Sequence, residues 1–120
     1  MALVKFVQVN GQNMGITPEL VEAIAHNTES PSANCIVHLV SGKAFSMKTL
    51  YDDAVKLIPN TVTLTQPNGL NISISESNIE SVMHPGDAQS QGAKSLVSMH
   101  SGKVFNIKTP FDQVIKVING

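Results

Sequence analysis

Residues 41–60 and 101–120 align without a gap: Ser41-Gly42-Lys43-Ala44-Phe45-Ser46-Met47-Lys48-Thr49 is answered by Ser101-Gly102-Lys103-Val104-Phe105-Asn106-Ile107-Lys108-Thr109. The changes further along are mild, Tyr51 to Phe111 and Val55 to Ile115. With an offset of 58 in place of 60, the earlier residues match too. Val62, Leu64 and Gln66 fall on Val4, Phe6 and Gln8, and Asn68-Gly69 on Asn10-Gly11. Ile72 and Ile74 fall on Met14 and Ile16, and Ile79, Glu80, Val82 and His84 on Val21, Glu22, Ile24 and His26. The pattern predicts a tandem duplication, with a first β-rich repeat over residues 1–60 and a second over 61–120. A unit of about 60 residues buries little of its surface and is marginal alone. The repeats are therefore expected to pack together as one compact unit.

Leu3 to Val9 alternates as a strand does, with Val4 and Phe6 on one face. Asn10-Gly11 predicts a hairpin through a type I′ turn, returning through Met14 and Ile16. Thr17-Pro18-Glu19 resembles a helix start. Its counterpart after Ser73 is rich in Ser, Asn and Ile, which are weaker helix formers. A single helical turn followed by a third strand is the expectation in both copies. Asn27–Asn34 and Pro85–Lys94 read as loops, and the change of offset falls there. Cys35–Val40 and Ser95–His100 read as strands, each followed by a Ser-Gly-Lys hairpin whose return strand places Phe45 and Met47, or Phe105 and Ile107, on the core face.

Thr49 and Thr109 are predicted N-caps, with Pro110 at the first helical position and Asp52 or Asp112 in the first turn. Tyr51, Ala54, Val55 and Ile58, and likewise Phe111, Val114, Ile115 and Ile118, have the spacing of one helical face. The fold class is α+β, mainly β. Each repeat is expected to be an antiparallel sheet or small barrel of about four or five strands closed by one C-terminal helix of about ten residues. Pseudo-twofold symmetry is expected to relate the two.

The pattern of Ile36 to Lys48, followed by a helix and preceded by an Asn-Gly hairpin and the Leu20-Val21-Glu22 strand, resembles the small FlbD/SwrD-type proteins encoded in flagellar operons. Those are single copies with a strand, Asn-Gly-Lys, an aromatic residue and a helix. This chain is duplicated, and its second hairpin has Ser-Gly. The resemblance implies a non-enzymatic accessory protein and transfers no active-site residue.

Net charge is −1, spread evenly, with no arginine or tryptophan. A basic patch is missing and stacking aromatics are few, which disfavours nucleic-acid binding. The lone Cys35 matches no metal or redox spacing and points to a reducing, cytoplasmic setting. No secretory leader or membrane-spanning run is legible, so membrane insertion is not expected.

Lys43 and Lys103 lie in equivalent turns, and Lys48 and Lys108 at equivalent helix entrances. Together with backbone N–H groups they are candidate anion sites. The plainer explanation is solvated lysines repeated by duplication, since no phosphate-loop glycine spacing surrounds them. Glu22 and His26, like Glu80 and His84, are four apart. That spacing suits a metal on a helix but puts them about 13 Å apart on a strand. No catalytic, metal or cofactor-binding residue is therefore assigned, and the chain is not expected to be an enzyme.

Ile36, His38, Val40, Leu96 and His100 lie on the second face of strands that already bury their first, and they are the candidate interface. The function expected is a protein-interaction or assembly module, an accessory or structural protein of a cell or a virus, binding a protein partner or itself. The alternatives are a small β-barrel nucleic-acid binder, or a ligand binder using the cleft between repeats.

Overall fold

The computed structural model describes residues 3–28, 31–86 and 92–120. Parts of both expected loops, at 29–30 and 87–91, lie outside the described residues. Strands β1 (Val4–Val7) and β2 (Asn13–Ile16) lead through a 3₁₀ turn (Pro18–Leu20) into β3 (Val21–His26), β4 (Cys35–Leu39), β5 (Ala44–Met47) and helix α1 (Tyr51–Leu57). The same order follows in β6 (Thr61–Thr65), β7 (Asn71–Ser75), a 3₁₀ turn (Glu76–Asn78), β8 (Ile79–Met83), β9 (Ser95–Met99), β10 (Val104–Ile107) and α2 (Phe111–Asn119). The molecule is mainly β, and all its strand pairs are antiparallel. Among the described residues no helix is long and apolar enough to cross a membrane.

The Asn-Gly hairpins do not use the expected type I′ turn, which needs positive φ at both central residues. Only the glycine is left-handed, with φ of +88° at Gly11 and Gly69. The Gly11 N–H donates to the Gln8 carbonyl and the Gln8 N–H to the Gln12 carbonyl, both at 2.9 Å. This is a three-residue loop, a type I turn closed by a left-handed glycine. Asn10 contributes its side chain, whose Oδ1 accepts the Gln12 N–H at 2.9 Å, as Asn68 does for Leu70. The Ser-Gly-Lys loops close the same way around Gly42 and Gly102.

Thr49 and Thr109 do not cap their helices; the N-cap positions are Leu50 and Pro110, with no side-chain cap. The hydroxyls face the hairpins instead. Thr49 Oγ1 accepts the Val7 N–H at 2.7 Å, and Thr109 Oγ1 accepts the Thr65 N–H at 3.1 Å. The Lys48 and Lys108 N–H groups complete each clip by donating to the Val7 and Thr65 carbonyls, both at 2.7 Å. Side chain and backbone thus tie β1 to the end of β5, and β6 to the end of β10. Helix α1 is shorter than expected, at 7 residues, because Ile58 already has extended backbone and Asn60 turns left-handed, whereas α2 has 9 residues.

The largest sheet has the order β5-β4-β3-β7-β6, and β1-β2 and β10-β9-β8 form the other two. Strand β3 therefore lies between β4 of its own half and β7 of the other. Its register on β7 is Ala23↔Ile74, Ile24↔Ser73 and Ala25↔Ile72. This corrects the pseudo-twofold expectation. A twofold axis would also set β8 against β2, yet these strands belong to different sheets and, among the described residues, pair with β9 and β1 alone. With the two clips included, the strands form one ribbon, β2-β1-β5-β4-β3-β7-β6-β10-β9-β8, whose ends are β2 and β8.

The core is divided accordingly. One cluster, around Phe6, Ile24, Val37, Met47 and Ala54, is built only from first-half residues. The other, around Ile72, Ile74, Val97, Ile107 and Val114, also takes in Ala23 and Ala25 of β3. The first half thus donates apolar residues to the core of the second and receives none in return.

Candidate interface at the junction of the halves

Successive residues of a strand face opposite sides, so β3 serves two cores: Ile24 its own, Ala23 and Ala25 that of the second half. On β7, Ile72 and Ile74 meet the alanines, while Ser73 turns to the other side beneath α1. There its hydroxyl pairs, out of contact with solvent, with the Tyr51 hydroxyl at 2.7 Å, and with Oγ1 of the exposed Thr63 at 3.1 Å. Burial pushes the Tyr51 phenol above its ordinary pKa, so it stays a neutral hydrogen-bonding group. The Tyr51 ring is held by stacking on His26, with centroids 4.0 Å apart. The second half repeats this stack with Phe111 on His84, at 4.3 Å.

Glu22 and Glu80 are each the extra residue of a bulge at the start of β3 and β8. Glu22 is buried, and its carboxylate accepts a hydrogen bond from the Ser101 hydroxyl in the β9–β10 turn. Its other oxygen has no hydrogen-bond partner among the described residues. Glu80 is exposed. Both Glu–His pairs lie on or beside strands rather than on a helix, and no group of three metal-ligating side chains occurs among the described residues.

The candidate interface residues separate. Leu96 is buried, Ile36 and Val40 are half-buried, and His100 is exposed. His38 belongs to the junction itself. Lys103 Nζ donates to its Nδ1 at 3.0 Å, and its ring meets that of Phe105 edge-on at 5.8 Å. Burial, and then the Lys103 charge, lower the His38 pKa to about 4. The imidazole is therefore neutral near pH 7, with Nδ1 free to accept.

The four lysines of the candidate anion sites differ in their surroundings. Lys103 is engaged with His38, while Lys43, Lys48 and Lys108 are exposed. The backbone N–H groups of Lys48 and Lys108 donate to the hairpin carbonyls of Val7 and Thr65. Cys35 is buried, its thiol donating to the Thr49 carbonyl at 3.2 Å, and burial raises its pKa to about 11. Ser95 makes the equivalent bond to the Thr109 carbonyl at 2.8 Å.

Shallow concavities are lined within one half each: one by His26, Asn34, Tyr51 and Asp52, another by Gln66, Pro67, Phe105 and Asn106. Across the seam Ala23 and Ala25 pack with Ile72 and Ile74.

Sequence reasoning missed Ala23, Ala25, Ser73, Glu22 and Ser101 as junction residues. The one available signal was the recurrence of Glu22 and Ser101 as Glu80 and Ser41. No protein-family model matches the chain, and neither curated proteins nor solved structures include a match to it.

Proposed function

We propose that this chain is a non-enzymatic protein-interaction module, a tandem repeat whose halves are joined by strand pairing and which assembles through its remaining strand edges. The observation that supports this most is the one-sided joint. Pairing β3 with β7 uses one edge from each half and leaves β2 and β8 unpaired on their outer sides among the described residues. An open edge presents a row of N–H and C=O groups that template another strand. Strand β2 (Asn13-Met14-Gly15-Ile16) carries neither the charge nor the proline that commonly blocks such an edge.

An accessory role of this kind agrees with what the FlbD/SwrD-like pattern implies. Size-exclusion chromatography with light scattering, over a concentration series, tests the proposal. A mass above the 12.8 kDa of one chain, rising with concentration, is expected. A monomer at every concentration up to the hundreds of micromolar contradicts self-assembly.

A further inference from the structure

We infer that β8 of one chain adds to β2 of a second copy of the same chain, in the register that β3 uses on β7 within each chain. The inference rests on the assembly role proposed above and names its partner and geometry. The offset of 58 places β8 on β3 and β2 on β7. The internal pairs Ala23↔Ile74, Ile24↔Ser73 and Ala25↔Ile72 then translate into Ser81↔Ile16, Val82↔Gly15 and Met83↔Met14 between chains.

Burial differs between the two sets in one direction. Ala25 is 7% exposed and Met83 49%. Glu22, Ser73, Tyr51 and Phe105 are all buried. Their counterparts Glu80 and Gly15 are exposed, and Phe111 and Phe45 half-buried. Each counterpart is uncovered where the internal joint would cover it.

The differences in residue type are complementary. Inside the chain a Tyr hydroxyl meets a Ser hydroxyl, Tyr51 on Ser73. Because Phe111 stacks on His84 as Tyr51 does on His26, its ring holds the same place beside β8 that Tyr51 holds beside β3. The residue it would meet is Gly15 of the second copy, so both hydroxyls are lost together. A Phe facing a Ser, or a Tyr facing a Gly, would leave one buried hydroxyl unpaired. Leu3, which is 61% exposed, sits over Gly15 and adds apolar surface at that point.

The polar lock is retained: Glu80 and Ser41 repeat Glu22 and Ser101, and both are exposed. Ser81 and Met83 would supply to the first-half core the strand face that Ala23 and Ala25 supply to the second.

A contact between unlike edges is heterologous, so successive copies continue head to tail and either close into a ring or extend as a filament. The test joins the predicted neighbours covalently. The S41C/E80C double variant changes two exposed residues, and the buried Cys35 thiol stays unreactive. A short bismaleimide is expected to give a ladder of dimers, trimers and higher multimers on a denaturing gel. Either single variant stops at dimers, and a T63C/E80C control gives no ladder.

A second pair, M14C/M83C, is expected to form the same ladder under mild oxidant, and M83K is expected to weaken assembly at least tenfold while its monomer melts normally. A persistent oligomer that yields no ladder from either pair overturns the head-to-tail joint and leaves the assembly role standing. A wild-type chain that is monomeric throughout overturns both. A ladder from the control pair equal to that from S41C/E80C overturns the register.

Discussion

The hydroxyl of Tyr51, on the helix of the first half, lies 2.7 Å from the hydroxyl of Ser73, on a strand of the second, out of contact with solvent. Removing one partner leaves the other buried with fewer hydrogen bonds, at a cost of about 1–2 kcal/mol. Y51F and S73A are each expected to lower stability by about that amount in urea unfolding. The double variant should be less destabilised than the sum, by roughly 0.5–1 kcal/mol. Strict additivity would show that the two hydroxyls do not interact.

Ser101 donates the hydrogen bond that the described residues supply to the buried Glu22 carboxylate. S101A leaves that carboxylate buried without it and should destabilise by about 1–3 kcal/mol. The sequence-equivalent S41A, at an exposed turn, should stay within about 0.5 kcal/mol of wild type in dilute solution. Equal effects of the two would contradict the asymmetry of the junction.

His38 is held neutral by burial and by Lys103, with a pKa of about 4 against an ordinary 6.5. The unfolded chain binds a proton at this site between those values and the folded chain does not. The stabilisation is therefore present above about pH 6.5 and is lost as pH falls from there toward 4. NMR titration should find the His38 midpoint near 4, far below the ordinary 6.5. In K103M that midpoint should rise. A His38 midpoint near 6.5 contradicts the burial and the Lys103 contact.

Cys35 and Ser95 make the same bond to the carbonyl of the threonine that ends each β-hairpin clip. C35S therefore keeps the donor and should stay within about 1 kcal/mol of wild type, whereas C35V should lose more. A thiol with a pKa of about 11 and no exposure should resist disulfide reagents at pH 8 until the protein unfolds. Fast labelling of the native protein would contradict this.

The elements within each half were legible because two copies of one pattern could be compared. The segment after Thr17 reads equally well as helix or strand alone, and the Ser-Asn-Ile composition of its counterpart decides for a 3₁₀ turn and a strand. The helical face of Tyr51, Ala54 and Val55 packs as its spacing requires, and Ile58, just past the helix, joins the same core.

Partner choice was hidden, since Ala23-Ile24-Ala25 suits any neighbouring strand and alternation carries no address. Ser73 and Glu22 are polar, and they are buried at the joint, where Tyr51 and Ser101 of the opposite halves hydrogen-bond to them. Thr49 and Thr109 carried a capping signal that the hairpin amides of Val7 and Thr65 answered first.

Amide hydrogen exchange of the wild-type chain, followed strand by strand across a concentration series, tests the one-sided joint most directly. Strand β3 at Ala23 and Ala25 should be protected equally at all concentrations, because its partner β7 belongs to the same chain. Protection of β2 and β8 should be low in dilute protein and rise together as concentration increases. Protection of β2 and β8 already complete in the dilute monomer, or unchanged throughout the series, would contradict it.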